Sequence, residues 1–213
     1  MKRTAIVKPR KRRPSKSRAM KRVVVIDGHP DPDEGRYVHA LAQAYMRGAH
    51  QAGHGVELIR LASLDFPMLR SNADFYGGSV PADIRRAQQS IINCDHVVML
   101  YPLWLGNMPA LLKAFLEQVF RRAVAYSEAG NSDMSRNLLR GKSARIVVTM
   151  AMPAAFYRQH FGTHSLRSLR RHVAGFLGIS PIRTQIIGNV ESMTHAERTA
   201  LIDAMQLSGR SAK

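Results

Sequence analysis

The chain predicts an α/β fold: a five-stranded parallel sheet in the order 2-1-3-4-5, with helices on both faces. Short apolar, β-branched runs occur five times, each followed by a stretch of helical spacing. The runs lack polar alternation, as strands covered on both faces must. With 213 residues, 45% of them hydrophobic, the chain can bury one sizeable core. Right-handed crossovers in so short a chain favour this order over the six-stranded dinucleotide-binding one.

The first strand is Val23–Ile26, followed by a loop at Asp27–Gly35 and a helix from about Arg36 to Gln51. Gly53 and Gly55 break the chain before the second strand, Val56–Leu61. Ser63–Val80 is polar and bears glycine, and it is long for a connection, which suggests a functional loop or lid. Pro81 opens a helix to about Asn93, and His96–Tyr101 is the third strand. Met108–Arg122 places Leu111, Leu112, Phe115, Leu116 and Val119 three and four apart, a helical stripe. After the loop Val124–Gly141 come the fourth strand, Ala144–Thr149, and a helix over Thr163–Leu177 stopped by Gly178. Ile182–Ile187 is the fifth strand, and Thr194 with Glu197 forms a capping box opening a last helix to about Leu207.

The formal charge of +17 is mostly local. Residues 1–22 hold eleven Lys or Arg and no acid, leaving 21 of the 32 basic residues against all 15 acidic ones. With so little apolar bulk this stretch cannot pack a core, and a disordered basic extension over 1–22 is expected, with the folded domain at 23–208. It reads as a solvated arm or as reading frame ahead of a start at Met20, with a nucleic-acid- or lipid-binding arm as the rival; a nucleic-acid partner for the folded domain is not expected. It lacks the apolar core of a secretory signal, and no apolar run is long enough to span a bilayer. A cytoplasmic protein is the expectation. The one cysteine, Cys94, excludes an internal disulfide.

Three segments at the carboxyl ends of strands one, three and four carry the chemistry, on the sheet edge where open α/β sheets bind ligands. The first is Asp27–Tyr37, before a helix N-terminus that offers partial positive charge and free N–H groups. His29 and Arg36 would add donors to a phosphate, although Asp31, Asp33 and Glu34 would repel one unless turned outward. An acidic loop that merely caps the helix is the alternative. The second is Pro102-Leu103-Trp104-Leu105-Gly106, an aromatic wall beside a glycine; a core tryptophan is the alternative. The third is Thr149-Met150-Ala151-Met152-Pro153, followed by Tyr157, His160 and His164. Here Thr149 can bond an amide-rich ring, and Tyr157 with a histidine can donate protons. A buried phenol and surface imidazoles are the alternatives. Gly141-Lys142-Ser143 resembles the end of a P-loop, but Arg136 stands where its first glycine belongs and a strand follows instead of a helix.

From Val23 to about Val190 the chain resembles bacterial NAD(P)H dehydrogenases (quinone) of the flavodoxin-like fold, relatives of mammalian NAD(P)H:quinone oxidoreductase and of ancillary subunits of glutathione-gated potassium efflux systems. The likeness is carried by Gly28-His29-Pro30 with Arg36-Tyr37, by the run from Tyr101 to Lys113 (YPLWLGNMPALLK), by Thr149–Pro153 with Tyr157, and by Gly175–Ile179. It implies a noncovalent flavin in the domain 23–208, its phosphate at the His29–Tyr37 loop and its ring between Pro102–Gly106 and Thr149–Pro153. It further implies ping-pong hydride transfer from NAD(P)H to a quinone-class acceptor, and a homodimer to which Ser63–Val80 and Val124–Gly141 would contribute. Tyr157 and His164 fall where the family places a Tyr–His pair over the ring. Arg36 and Val38 stand where small or amide phosphate ligands are frequent, and Ala151 replaces a frequent glycine. The adenine-closing region matches poorly, so FMN is favoured over FAD. An ancillary subunit with a structural flavin is the alternative function.

Overall fold

The computed structural model describes residues 19–121 and 138–213. Most of the basic extension (residues 1–18) and residues 124–137 of the predicted loop lie outside the described residues, and the helix predicted to reach Arg122 ends at Phe120. Five strands form one parallel sheet: β1 (Arg22–Asp27), β2 (Gly55–Arg60), β3 (His96–Pro102), β4 (Ser143–Thr149) and β5 (Ile182–Ile187), in the order β2-β1-β3-β4-β5. This is the predicted topology.

The central strands are buried on both faces, which is why they read as unbroken apolar runs. Val24, Ile26, Val97, Met99, Tyr101, Ile146 and Val148 project to one side, into a core shared with α3 (Ala82–Asn93) and α4 (Ala110–Phe120). Val23, Val25, Val98, Leu100 and Val147 project to the other, against α1 (Tyr37–Gln51). The last helix, His195–Ser211, packs along α1 and closes this second layer. Cys94 is buried, and burial pushes its thiol up to about 11, so it acts as a small core residue.

Two expectations change. Ser63–Val80 is not a plain loop: a 3₁₀ turn spans Leu61–Ser63 and a short helix, α2 (Asn72–Gly77), opens on a Ser71/Asp74 capping box. The segment is tied to α4, since the buried Arg121 donates to the carbonyls of Asp74 (3.0 Å) and Ser79 (2.7 Å), and Gln118 to that of Pro67 (2.6 Å). Likewise the helix predicted over Thr163–Leu177 is composite. After a helix α5 (Ala154–His160) comes α6 (His164–Ser168), continued by a π-helical turn over Leu169–Gly175. The buried pair Leu169 and Ala174 are five apart, the π spacing, so both face the sheet. Gly178, at φ +89°, ends the segment as predicted. With those two inserted, the final helix is α7 (His195–Ser211), opened by the predicted Thr194/Glu197 box.

Candidate functional site

The exits of β1, β3, β4 and β5 converge on one cleft of about 420 Å³ at the carboxyl edge of the sheet. Its β1 wall is a loop whose odd-numbered side chains each accept the N–H two residues on. Asp27 Oδ1 accepts from His29 (3.3 Å), His29 Nδ1 from Asp31 (3.1 Å), Asp31 Oδ1 from Asp33 (2.9 Å) and Asp33 Oδ1 from Gly35 (2.9 Å). Pro30 and Pro32 occupy positions whose missing N–H groups the ladder does not need. Gly28 begins the loop because a Cβ there would lie 2.9 Å from the Leu100 carbonyl oxygen.

This ladder settles the charge problem the sequence poses. Arg36 holds Asp31 Oδ2 at 2.7 Å and Asp33 Oδ2 at 3.3 Å, while Arg60 holds Glu34 at 2.5 Å. The Asp33 N–H and then Arg36 keep the Asp31 carboxyl below its ordinary range. Asp31 lines the cleft, but its carboxylate is paired with Arg36, and Asp33 and Glu34 are held by Arg36 and Arg60, which offsets their repulsion of an incoming anion. Arg36 is likewise committed to them, so its expected role as a phosphate donor is shared with that task.

Beyond the loop, α1 starts at Tyr37 with no side-chain cap and no acid in its first turn. By contrast α2 and α7 carry full capping boxes. The His39 N–H donates to the Arg36 carbonyl (3.0 Å), which leaves the N–H groups of Tyr37 and Val38, both on the cleft wall, for a ligand. His29 completes this end. Its Nδ1 accepts the Asp31 N–H, so the neutral ring carries its proton on Nε2, which bonds to no described residue. Burial and then the neighbouring His39 hold its pKa below 6.5 and keep it neutral.

The β3 wall is Pro102, Leu103 and Trp104. Leu103 N–H donates to the Thr149 carbonyl (2.7 Å), which locks the β3 and β4 exits together. Trp104 and Asn107 exchange backbone hydrogen bonds of 2.8 and 2.9 Å around Leu105 (φ +46°) and Gly106 (φ +77°), a type I′ turn. Trp104 is half exposed and edge-on to His29 at 6.0 Å, so the core-tryptophan alternative does not hold. The β4 wall is Thr149, Met150 and Ala151.

Nine of the predicted cofactor residues therefore share one cleft: His29, Arg36, Tyr37, Pro102, Leu103, Trp104, Thr149, Met150 and Ala151. Three do not line it. Leu105 is fully exposed and borders a neighbouring cavity of about 470 Å³ behind Trp104. Gly106 supplies the turn, and Pro153 stands at the start of α5. The Tyr157–His164 pair is not brought onto this cleft either. The Tyr157 ring is buried in the core with its hydroxyl 2.8 Å from Ser165 Oγ, and His164 is exposed on the surface. The buried-phenol and surface-imidazole alternatives describe their positions.

Arg198 and the Val190–Glu191 pair, which sequence reasoning missed, also line the cleft. Arg198 sits on the first turns of α7, 5.2 Å above the Tyr37 ring, and Tyr37 donates to its carbonyl at 3.0 Å. Burial raises the Tyr37 pKa against the opposing pull of that guanidinium, so the phenol stays protonated. The signal was available, because Val190–Glu191 is the exit of the fifth strand and belongs to the same edge as the other three. Lys142 of the P-loop-like tripeptide instead donates to the carbonyls of Ile92 (2.6 Å) and Cys94 (2.7 Å), a structural clamp.

The cleft joins a donor end (α1 N–H groups, His29, Arg198) to an end walled by an indole and the backbone of two strand exits. That donor set fits a flavin mononucleotide, phosphate at one end and ring at the other. Comparison with known proteins gives the same fold. A protein of Haemophilus influenzae described as an uncharacterized NAD(P)H oxidoreductase is 23% identical over 84% of this chain and 90% of its own. An FMN-dependent NADH:quinone oxidoreductase of Jannaschia sp. is 32% identical over 48% of this chain and 56% of its own. The solved NAD(P)H:quinone oxidoreductase of Methanothermobacter marburgensis superposes with a TM-score of 0.69 at 20% identity, covering 90% of this chain and 96% of that one. The family model described as flavodoxin-like fold matches residues 21–207, and the chain belongs to that family.

Proposed function

We propose that this chain is a flavin-dependent NAD(P)H:quinone-type oxidoreductase that holds FMN in the cleft. The observation that carries the reading is the convergence of four strand exits on one cleft with a donor end and an indole end. The names of the Haemophilus and Jannaschia relatives support the reaction class and FMN. Bound there, the flavin would take a hydride from NAD(P)H and return two electrons to a quinone-class acceptor. The α1 N-terminus, His29 Nε2–H and Arg198 would hold its phosphate, while Trp104 and the Thr149–Ala151 backbone would orient the ring and exclude water from one side.

The purified protein is expected to be yellow, to release a molecule of FMN mass on denaturation, and to oxidise NAD(P)H only when a quinone is added. Trp104→Ala should weaken FMN binding about tenfold, as loss of one stacking or edge contact of ~1.4 kcal/mol would. A colourless protein that takes up no FMN would sink the reading.

One observation favours a second reading, an ancillary flavoprotein without turnover. Tyr157 and His164, the pair to which the resemblance gives the proton chemistry, lie off the cleft. Bound FMN with no quinone-dependent NAD(P)H consumption would select it. For either reading we propose a homodimer. Leu105, Phe156, Phe161 and Phe176 are large apolar side chains left exposed, and a second copy would cover them. Sedimentation should give twice the chain mass, and Phe176→Asp should lower it towards one.

A further inference from the structure

Beneath the cleft lies a buried pair that the proposed chemistry does not use. Asp27 and His39 are each at most 3% exposed, with His39 Nδ1 2.5 Å from Asp27 Oδ2. The other ring nitrogen, Nε2, lies 2.9 Å from the Asp31 carbonyl oxygen. A carbonyl only accepts, so Nε2 carries a proton, and the short contact to Asp27 needs a second one between the two groups. The pair is thus a doubly protonated clamp with fixed direction. One end grips β1, from which Asp27 comes. The other grips the loop at Asp31, on the far side of His29.

Both grips act on His29. Asp27 Oδ1 accepts the His29 backbone N–H at 3.3 Å, which sets where the residue sits. The His39 bond to the Asp31 carbonyl sets where the Asp31 peptide sits, and the N–H of that residue donates to His29 Nδ1 at 3.1 Å. The His39 ring also packs edge-on to the His29 ring, at 5.4 Å between centroids. Trp104 meets His29 from the cleft side at 6.0 Å. Every restraint leaves His29 one orientation and one tautomer.

We propose that Asp27 and His39 are positioning residues that hold His29 as an Nε2–H donor at the donor end of the cleft, where an anion would bind. The inference rests on the FMN reading for the identity of the anion, but not for the state of the ring. Removing the clamp frees the Asp31 peptide, lets His29 sample the Nδ1–H tautomer, and turns an acceptor toward the phosphate in part of the population.

The test is a double-mutant cycle with an NMR readout. His39→Leu should raise the Kd for FMN about tenfold, which corresponds to only about a tenth of the chains keeping the Nε2–H donor in place. In a His29→Ala background the same substitution should change it less than twofold, because the clamp then has nothing to position. Long-range ¹H–¹⁵N spectra of the flavin-free chain at pH 7.5 should show His29 as the Nε2–H tautomer in wild type and as a mixture in His39→Leu. Should His39→Leu not fold, Asp27→Asn, which keeps the shape and removes the carboxylate, serves in its place with the same expected changes. Additive effects of His29→Ala and His39→Leu, or an unchanged His29 tautomer in a folded clamp variant, would overturn the proposal. If the wild-type chain takes up no FMN the cofactor reading falls, and the ring spectra alone decide whether the clamp sets the tautomer.

Discussion

Gly48→Ala is expected to destabilise the protein by about 3 kcal/mol or more, a midpoint fall of roughly 6–12 °C for a chain of this size. Helix propensity alone predicts the opposite sign, since alanine in a helix interior is worth ~1 kcal/mol over glycine. Geometry decides. A Cβ on Gly48 would lie 1.8 Å from the Gln206 carbonyl oxygen, and one on Gly209 would lie 2.0 Å from that of Tyr45. Both obstacles are backbone, so neither can rotate away, and α1 and α7 must separate along their shared face. The two helices run parallel, with Tyr37 beside Arg198 at one end and Gly48 beside Gln206 near the other. Prising them apart would therefore also loosen Arg198 from the cleft. Gly55→Ala is the control: nothing lies within 4 Å of its Cβ position, and its midpoint should move little. Urea titrations of the three proteins give the signs directly, and a Gly48→Ala chain as stable as wild type would show that the helices do not cross this closely.

The fold was legible because its central strands must be apolar on both faces, as Val23–Ile26 and Val97–Tyr101 are. That constraint leaves little freedom in reading a parallel sheet. The walls at Pro102–Trp104 and Thr149–Ala151 were legible for a related reason, because strand exits follow from strand assignments. What escaped depends on the rotation of short elements about their own axes. Tyr157 turns inward because one turn of α5 and the Ser165 hydroxyl fix its direction, and no periodicity of seven residues reveals that. Arg198 escaped because its place requires α7 to lie parallel on α1, a contact allowed by two glycines far away in sequence. The acid problem in the first loop was soluble from the sequence. Asp27, His29, Asp31 and Asp33 stand at every second position with Pro30 and Pro32 between, the pattern that Asx-type turns in series require. Read singly the carboxylates look repulsive, whereas read as a ladder they are consumed by the backbone.

Mild acid should destabilise the protein through His96, at about 1.4 kcal/mol per pH unit below pH 6.5. The ring is fully buried on β3, stacked near Tyr45 with centroids 6.3 Å apart, and its Nδ1 lies 2.7 Å from Ser143 Oγ. Its Nε2 is buried without a partner among the described residues, so a second proton there would find no acceptor. Burial, with Lys21 and Arg145 adding like charge, pushes its pKa down to about 3. Between pH 6.5 and 3 the unfolded chain binds a proton that the native state refuses. Stability therefore rises with pH across that window and is lost as pH falls. His29, also shifted down by burial, adds to the loss with the same sign. Carboxylates such as Asp74 and Glu197 are held below their ordinary range, so their contribution begins to fade only under about pH 5. The comparison belongs between pH 7 and 5, where the histidines act alone. His96→Gln keeps a partner for Ser143 and cannot titrate. At one protein concentration, wild type should lose about 2 kcal/mol more than this variant across those two pH units. Equal losses would mean that the imidazole accepts its proton in the native state, which requires water at Nε2 and a core more open than the packing around Tyr45 allows.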